Sequence, residues 1–225
     1  GKHGMDYFAR CFRDKGDEVQ WQRLRSHLFN VSFLAERYGK SAKIDTDFSA
    51  RAAWAGLFHD LGKYTHEFQE MLHGNRPHGV EHSGHGAAYA FQHGHYDIAL
   101  AISGHHAGLA DPTNIRQRVM KLEPYLYTVL KPIKDDLGQE AAYVQEKFEK
   151  YPNTSDKNNF DVHTRMLFSC LVDADRTDAA GLVYEQHTLQ DTPNLYNRLL
   201  SKINTLANQI PEGQVKRVRS EVLND

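Results

Sequence analysis

His59 and Asp60 stand side by side at the end of an apolar run, Ala52-Ala53-Trp54-Ala55-Gly56-Leu57-Phe58, with Gly62-Lys63 just beyond. Imidazole nitrogen and carboxylate oxygen together suit transition metals, and the two oxygens of one carboxylate can bridge a pair of ions. A His-Asp dipeptide alone carries little weight in a chain with 14 histidines among 225 residues. Its weight comes from the other ligand types: His27 upstream, then His82, His105-His106 and Asp175. Nitrogen and carboxylate without thiolate favour Mn, Fe, Co or Ni, with Mg or Zn admitted. Six or more such ligands exceed a single tetrahedral ion and suit two divalent ions bridged by Asp60. Two ions about 3.5–4 Å apart activate a water and stabilise both oxygens in phosphoester hydrolysis.

Ordinary structural roles compete at each position. His85, one turn after His82, is an alternative ligand, although Ser83 and Gly86-Ala87 favour His82. Asp173 and Asp175 are two residues apart and cannot face the same way on a helix. Both stay open, with the Ala-Asp-Arg context favouring Asp175 and leaving Asp173 to pair with Arg165 or Arg176. His66, His73, His78, His93 and His95 read as loop or surface residues. On its own Lys63 reads as a helix-end cation that satisfies carbonyls. Ser83 has no base with an orienting partner, so a serine nucleophile is not expected.

The elements that must position these groups are helical by period. Residues 21–38 carry Leu24, Leu28, Val31, Leu34, Ala35 and Tyr38 on one stripe, with His27 at its flank and Gly39 as the stop. Asp45 to Asp47 offer N-cap chemistry for the helix that ends in His59-Asp60, which buries Ala52, Ala55 and Phe58 and stops at Gly62. Residues 64–72 predict a short helix with Phe68, Met71 and Leu72 inward, 74–79 a loop, and 81–91 another helix. Residues 96–103 are ambiguous by pattern and are taken as a helix ending at Gly104-His105-His106-Ala107-Gly108. Residues 111–136 suggest short helices in irregular chain, 137–151 an exposed amphipathic helix pairing Glu146 with Lys150, and 153–159 a polar loop. Residues 160–177 form the second strong helix, with His163, Leu167, Cys170, Leu171 and Ala174 on one stripe, and 195–210 a last one closed by Pro211. No repeat and no strong β-hairpin signal is found. The expected class is all-α, a helical bundle that projects its ligands into one internal site.

Composition sets the bounds. With 40% hydrophobic and 25% charged residues the chain suits one globular domain. A net charge of -2 advertises no nucleic acid by itself, but a metal supplies local positive charge. Two cysteines, Cys11 and Cys170, make a poor disulfide framework and point to a reducing cytoplasm. No run of 18 apolar residues and no signal peptide is present, so a soluble, unexported, monomeric protein without a membrane partner is expected. Gly1-Lys2-His3-Gly4 before Met5 reads as a cloning remnant.

His27, His59-Asp60 and Asp175 together resemble the HD phosphohydrolase superfamily. The fuller set is His59-Asp60-x-Gly62-Lys63, Glu81-His82-Ser83-x-x-Gly86-Ala87, Gly104-His105-His106-x-Gly108 and Leu171-x-x-Ala174-Asp175. It is similar to the nuclease domain of the CRISPR type I nuclease–helicase, closest to the type I-C branch, from Asp6-Tyr7-Phe8-Ala9 to the end. The resemblance implies one HD nuclease domain over residues 1–225, with 211–225 leading into a helicase domain. No Walker A motif is present, because five residues separate Gly56 from Gly62 and Tyr64 follows Lys63. An excised domain is therefore favoured over a stand-alone version. The resemblance further implies that His27, His59, Asp60 and the carboxylate near Asp175 hold one ion. Asp60 as bridge, His82, His105 and His106 hold the second, and Lys63 lies beside the scissile phosphate. His59, Asp60 and Lys63 are then the catalytic group.

Three readings follow. The first is a metal-dependent nuclease for single-stranded DNA, fed by a helicase domain in cis or trans on a strand displaced by an RNA-guided surveillance complex. Lys63, Arg76, Arg116, Arg118 and Lys121 are its candidate backbone contacts, and aromatic residues its stacking platforms. The second is a small-molecule phosphohydrolase acting on a nucleotide or cyclic nucleotide. The third, a helical adaptor with a structural metal, requires a coordinatively closed site.

Overall fold

The computed structural model describes residues 5–107, 112–153 and 159–184. An N-terminal antiparallel hairpin, β1 (Phe8–Arg13) and β2 (Val19–Arg23), leads into nine helices among the described residues. These are α1 (Leu24–Ser41), α2 (Thr46–Phe58), α3 (His66–Leu72), α4 (Gly84–Gln92), α5 (Tyr96–Ala107), α6 (Pro112–Leu122), α7 (Tyr127–Leu137), α8 (Gln139–Glu149) and α9 (Phe160–Tyr184). Single 3-10 turns occupy Leu61–Tyr64 and Glu123–Tyr125. The mostly helical class agrees with the periodicity, and no described helix is long and apolar enough to cross a membrane.

The hairpin corrects the expectation that helix begins at residue 21. Its inward residue Gln22 is 1% exposed but polar, so the alternation that marks a half-buried strand is inverted at that position. The turn was the available signal: Asp14 Oδ1 accepts from the amides of Gly16 and Glu18, both at 2.9 Å, and Asp17 takes the left-handed conformation with φ 62°. Elsewhere boundaries move. Asp45 caps α2 by accepting from the Phe48 amide at 2.7 Å. Glu81, His82 and Ser83 stay outside α4, and α5 runs on through Gly104 and His105. α9 continues past Thr177. The 195–210 helix, the 211–225 lead, residues 1–4 and 154–158 of the polar loop lie outside the described residues.

α1 and α2 meet very closely. Ser32 Oγ donates to the Ala53 carbonyl at 2.6 Å, and a Cβ on Gly56 would stand 2.6 Å from Ser32 Cα. Only glycine permits that approach. Behind it, Trp54, Phe58, Tyr89 and Phe148 interlock, with Phe58 and Phe148 centroids 4.6 Å apart. α8 contributes Phe148, Val144 and Ala141 to this core while Glu146 and Lys150 pair outward at 2.6 Å.

A polar knot ties α2, α5 and α9 together. Arg51 and Asp97 are both fully buried; Arg51 Nε donates to Asp97 Oδ2 at 2.5 Å, and Nη2 pairs with Oδ1. Arg51 Nη1 donates to the Pro152 carbonyl at 3.0 Å, and His163 Nε2 lies 3.0 Å from Asp97 Oδ2. His95, expected at the surface, is instead buried here. Arg51 can only donate, so His95 Nδ1 accepts from it at 3.4 Å and Nε2 donates to the Phe148 carbonyl at 3.1 Å. Burial and the Arg51 cation push the His95 pKa down to about 3. The unfolded chain protonates this group near 6.5. The native state therefore binds fewer protons below that value, and stability is lost as pH falls from about 6.5 toward 3. Thermal melts between pH 7.5 and 4 should show the loss. His95→Phe should start lower at pH 7.5 and fall less steeply; equal slopes would assign the acid sensitivity elsewhere.

Candidate metal centre

His27, His59, Asp60 and Asp175 each bring one ligand atom to a common point, all within 4.8 Å of one another. His27 comes from the first turn of α1, His59 caps the end of α2, Asp60 follows it, and Asp175 faces them from α9. The close α1–α2 contact sets the first two, whose Nε2 atoms are 3.2 Å apart. Asp60 is two-sided. Its Oδ2 lies 2.8 Å from His27 Nε2, 3.2 Å from His59 Nε2 and 3.0 Å from Lys63 Nζ. Its Oδ1 faces His105 Nε2 at 3.3 Å. Asp175 Oδ1 lies 3.6 Å from both His27 and His59 Nε2, while Asp173 is exposed.

Each ring is held by its other nitrogen. His59 Nδ1 donates to the Gly56 carbonyl at 2.6 Å, His105 Nδ1 to the Ile102 carbonyl at 2.6 Å, and His82 Nδ1 to the Val80 carbonyl at 3.0 Å. His27 Nδ1 meets Asp178 Oδ2 at 2.7 Å. With Nδ1 carrying the proton, Nε2 of each ring is the atom left for an ion. The backbone of His82 packs directly on the 3-10 turn, where a Cβ on Gly62 would collide with it. His106 continues α5, and its side chain lies outside the described residues.

Residues 24–127 match the HD domain family model. Over that span the chain is similar to the HD domain family. The matched span carries His27, His59, Asp60, His82, His105 and His106, and Asp175 lies beyond it. No curated protein matches the chain. An HD domain implies metal-dependent phosphohydrolase activity, and the donor set fits a divalent ion: two imidazoles and two carboxylates on one side, His105 on the other. The local field agrees. Burial disfavours charge on His59, yet Asp60 and Asp175 outweigh it and push its pKa up to about 10. Burial likewise works against the Asp175 anion, but His59 and His27 hold its carboxyl well below the usual range. A pocket that forces a buried imidazole to stay protonated is one that favours a cation.

Several residues of the site escaped the sequence reading. Asp178, one turn after Asp175, accepts from Gln22 Nε2 at 3.1 Å and Asn30 Nδ2 at 3.0 Å as well as from His27. Its i,i+3 spacing from Asp175 was the available signal. Arg10 Nη2 reaches Asp178 at 3.3 Å and His27 Nδ1 at 3.0 Å. Lys63 is buried against Asp60, donates to the Ala9 carbonyl at 3.2 Å and lies over the Phe68 ring. Arg76, Arg116 and Lys121 are exposed. Arg118 instead bonds Glu81 at 2.5 Å and Ser83 Oγ at 2.8 Å. Partial burial opposes the Glu81 anion, yet Arg118 pulls its pKa down to about 2. Asp178→Asn should weaken Mn²⁺ binding by about 10–100-fold, the usual cost of losing a carboxylate behind a ligating imidazole. Calorimetry on metal-stripped protein checks this, and an unchanged affinity would remove Asp178 from the site.

Proposed function

We propose that the protein is a metal-dependent DNA nuclease, preferring single strands, that serves type I CRISPR interference in the cytoplasm. A helicase domain in cis or trans and an RNA-guided surveillance complex are its proposed partners. The observation that carries the reading is the two-sided Asp60, with His27 and His59 on one oxygen and His105 on the other. One ion would be held by His27, His59, Asp60 and Asp175, and a second by Asp60 and His105 with His82 and His106. Bound ions would supply Lewis acidity to the phosphoryl group and lower the pKa of water. The chain itself orients the imidazoles through Gly56, Ile102 and Asp178, and Lys63 balances the charge of Asp60. The resemblance of the motifs around Gly62-Lys63, Glu81-His82-Ser83 and Gly104-His105-His106 to the nuclease domain of the CRISPR type I nuclease–helicase supports DNA as substrate. Exposed Arg76 and Arg116 add charge that tracks a phosphate backbone.

The deciding experiment is cleavage of circular single-stranded DNA by metal-stripped protein with Mn²⁺, Ni²⁺, Co²⁺, Mg²⁺ or Zn²⁺ restored. Nicking that depends on the ion, and is faster than on the duplex circle, is expected. A folded, metal-loaded protein that cleaves only nucleotides would overturn the reading.

A further inference from the structure

The metal-binding side chains are sealed on most sides. His27 and His59 have no exposed side-chain surface, and Asp60 and His105 have 2% and 1%. Asp175 is 30% exposed, and the Arg10 side chain beside it 25%. Of His27, His59, Asp60, Asp175 and His105, only Asp175 is appreciably exposed, so on this side the cluster opens along the edge that Asp175 and Arg10 frame. β1 carries Arg10 there, and the register shift between Phe8 and Arg10 is a bulge of the kind that re-aims a side chain. Gln22, the strand partner of Arg10, also turns to Asp178, so this face of the hairpin forms one wall of the centre.

The charges at that edge need a cation. A phosphodiester entering past Asp175 meets its carboxylate first, with Asp60 and Asp178 behind, while Lys63 is spent on Asp60 and the Ala9 carbonyl. Arg10 Nη2 lies 3.8 Å from Asp175 Oδ1 and 3.0 Å from His27 Nδ1, and donates to Asp178 Oδ2 at 3.3 Å. None of these contacts uses Nη1, and Nε is buried without a partner. The guanidinium thus holds the wall with one nitrogen and keeps a second donor, permanently charged, for an oxygen ligand.

We propose that Arg10 binds the substrate phosphate at the mouth of the centre, donating through Nη1 to a non-bridging oxygen while Nη2 stays on Asp178. The inference rests on the phosphohydrolase reading and is independent of whether the substrate is DNA. The competing role is purely positional, with Arg10 only steadying Asp178 and His27, and the two separate by measurement.

The probes are Mn²⁺, inorganic phosphate and bis(p-nitrophenyl) phosphate, with the full chain. Arg10→Ala should bind Mn²⁺ within about threefold of wild type, yet bind phosphate to the Mn²⁺-loaded protein about tenfold more weakly by calorimetry. Its kcat/KM on the phosphodiester should fall about 10²-fold, as for loss of one charged donor, with partial rescue by millimolar guanidinium ion. Arg10→Gln, which keeps a donor for Asp178, should show the same split and serves if the alanine variant does not fold. Mn²⁺ affinity falling in step with activity, or phosphate binding unchanged, would overturn the proposal. Phosphate binding is read without turnover. A wild type that binds phosphate but hydrolyses nothing would therefore count against the enzyme reading and leave the Arg10 assignment standing.

Discussion

Asp60→Ala should abolish metal-dependent hydrolysis while the far-ultraviolet dichroism stays helical. Losing a group behind a ligand costs about 10–100-fold. Asp60 itself touches both histidine sets, so its loss should cost about 10³-fold or more. The effect is compound, because the same carboxylate neutralises Lys63 and is the strongest influence keeping His59 protonated. Asp60→Asn keeps the shape and one acceptor oxygen but removes the charge, so it should resemble the alanine variant in activity and wild type in fold. His59→Ala should match both in activity. Initial rates under saturating Mn²⁺ check all three, and an Asp60→Asn variant within tenfold of wild type would deny the bridging role.

Asp97→Ala should be the most damaging change remote from the metal centre, at about 3–5 kcal/mol, because it strands the fully buried Arg51 cation. For a chain of this size that corresponds to a Tm lower by about 6–20 °C. Replacing both partners, as in Arg51→Met with Asp97→Leu, should recover most of the loss, since a buried ion pair repays little more than its desolvation. Denaturant unfolding of Arg51→Met, Asp97→Leu and the double closes the cycle. A double variant as unstable as Asp97→Ala would mean that the knot contributes more than charge pairing, through Pro152 and His163.

What sequence could reveal was whatever a single element repeats within itself. α1, α2 and α9 declare themselves by their apolar stripes, and the two-residue step from Asp173 to Asp175 already required that one of them face away. Relations between elements were invisible. Arg51 sits amid Ala50 and Ala52 and pairs with a carboxylate 46 positions later. Nothing local separates it from a solvated arginine. His95 was assigned to the surface for the same reason, since its burial depends on Phe148 from another helix. The hairpin failed by a different route: its inward position carries Gln22, whose partner Asp178 lies 156 positions away. Polar residues facing inward toward a functional site imitate polar residues facing water.

The crowding at Gly56 has a consequence for the metal centre. That residue gauges the separation of α1 and α2, and its carbonyl also fixes the rotation of the His59 ring. Spacing and aim of the first ligand pair are therefore one quantity, held by the backbone. Drift in the interface would move both imidazoles relative to Asp60. The coordination sphere is in this sense set by the helix crossing as well as by the ligands themselves.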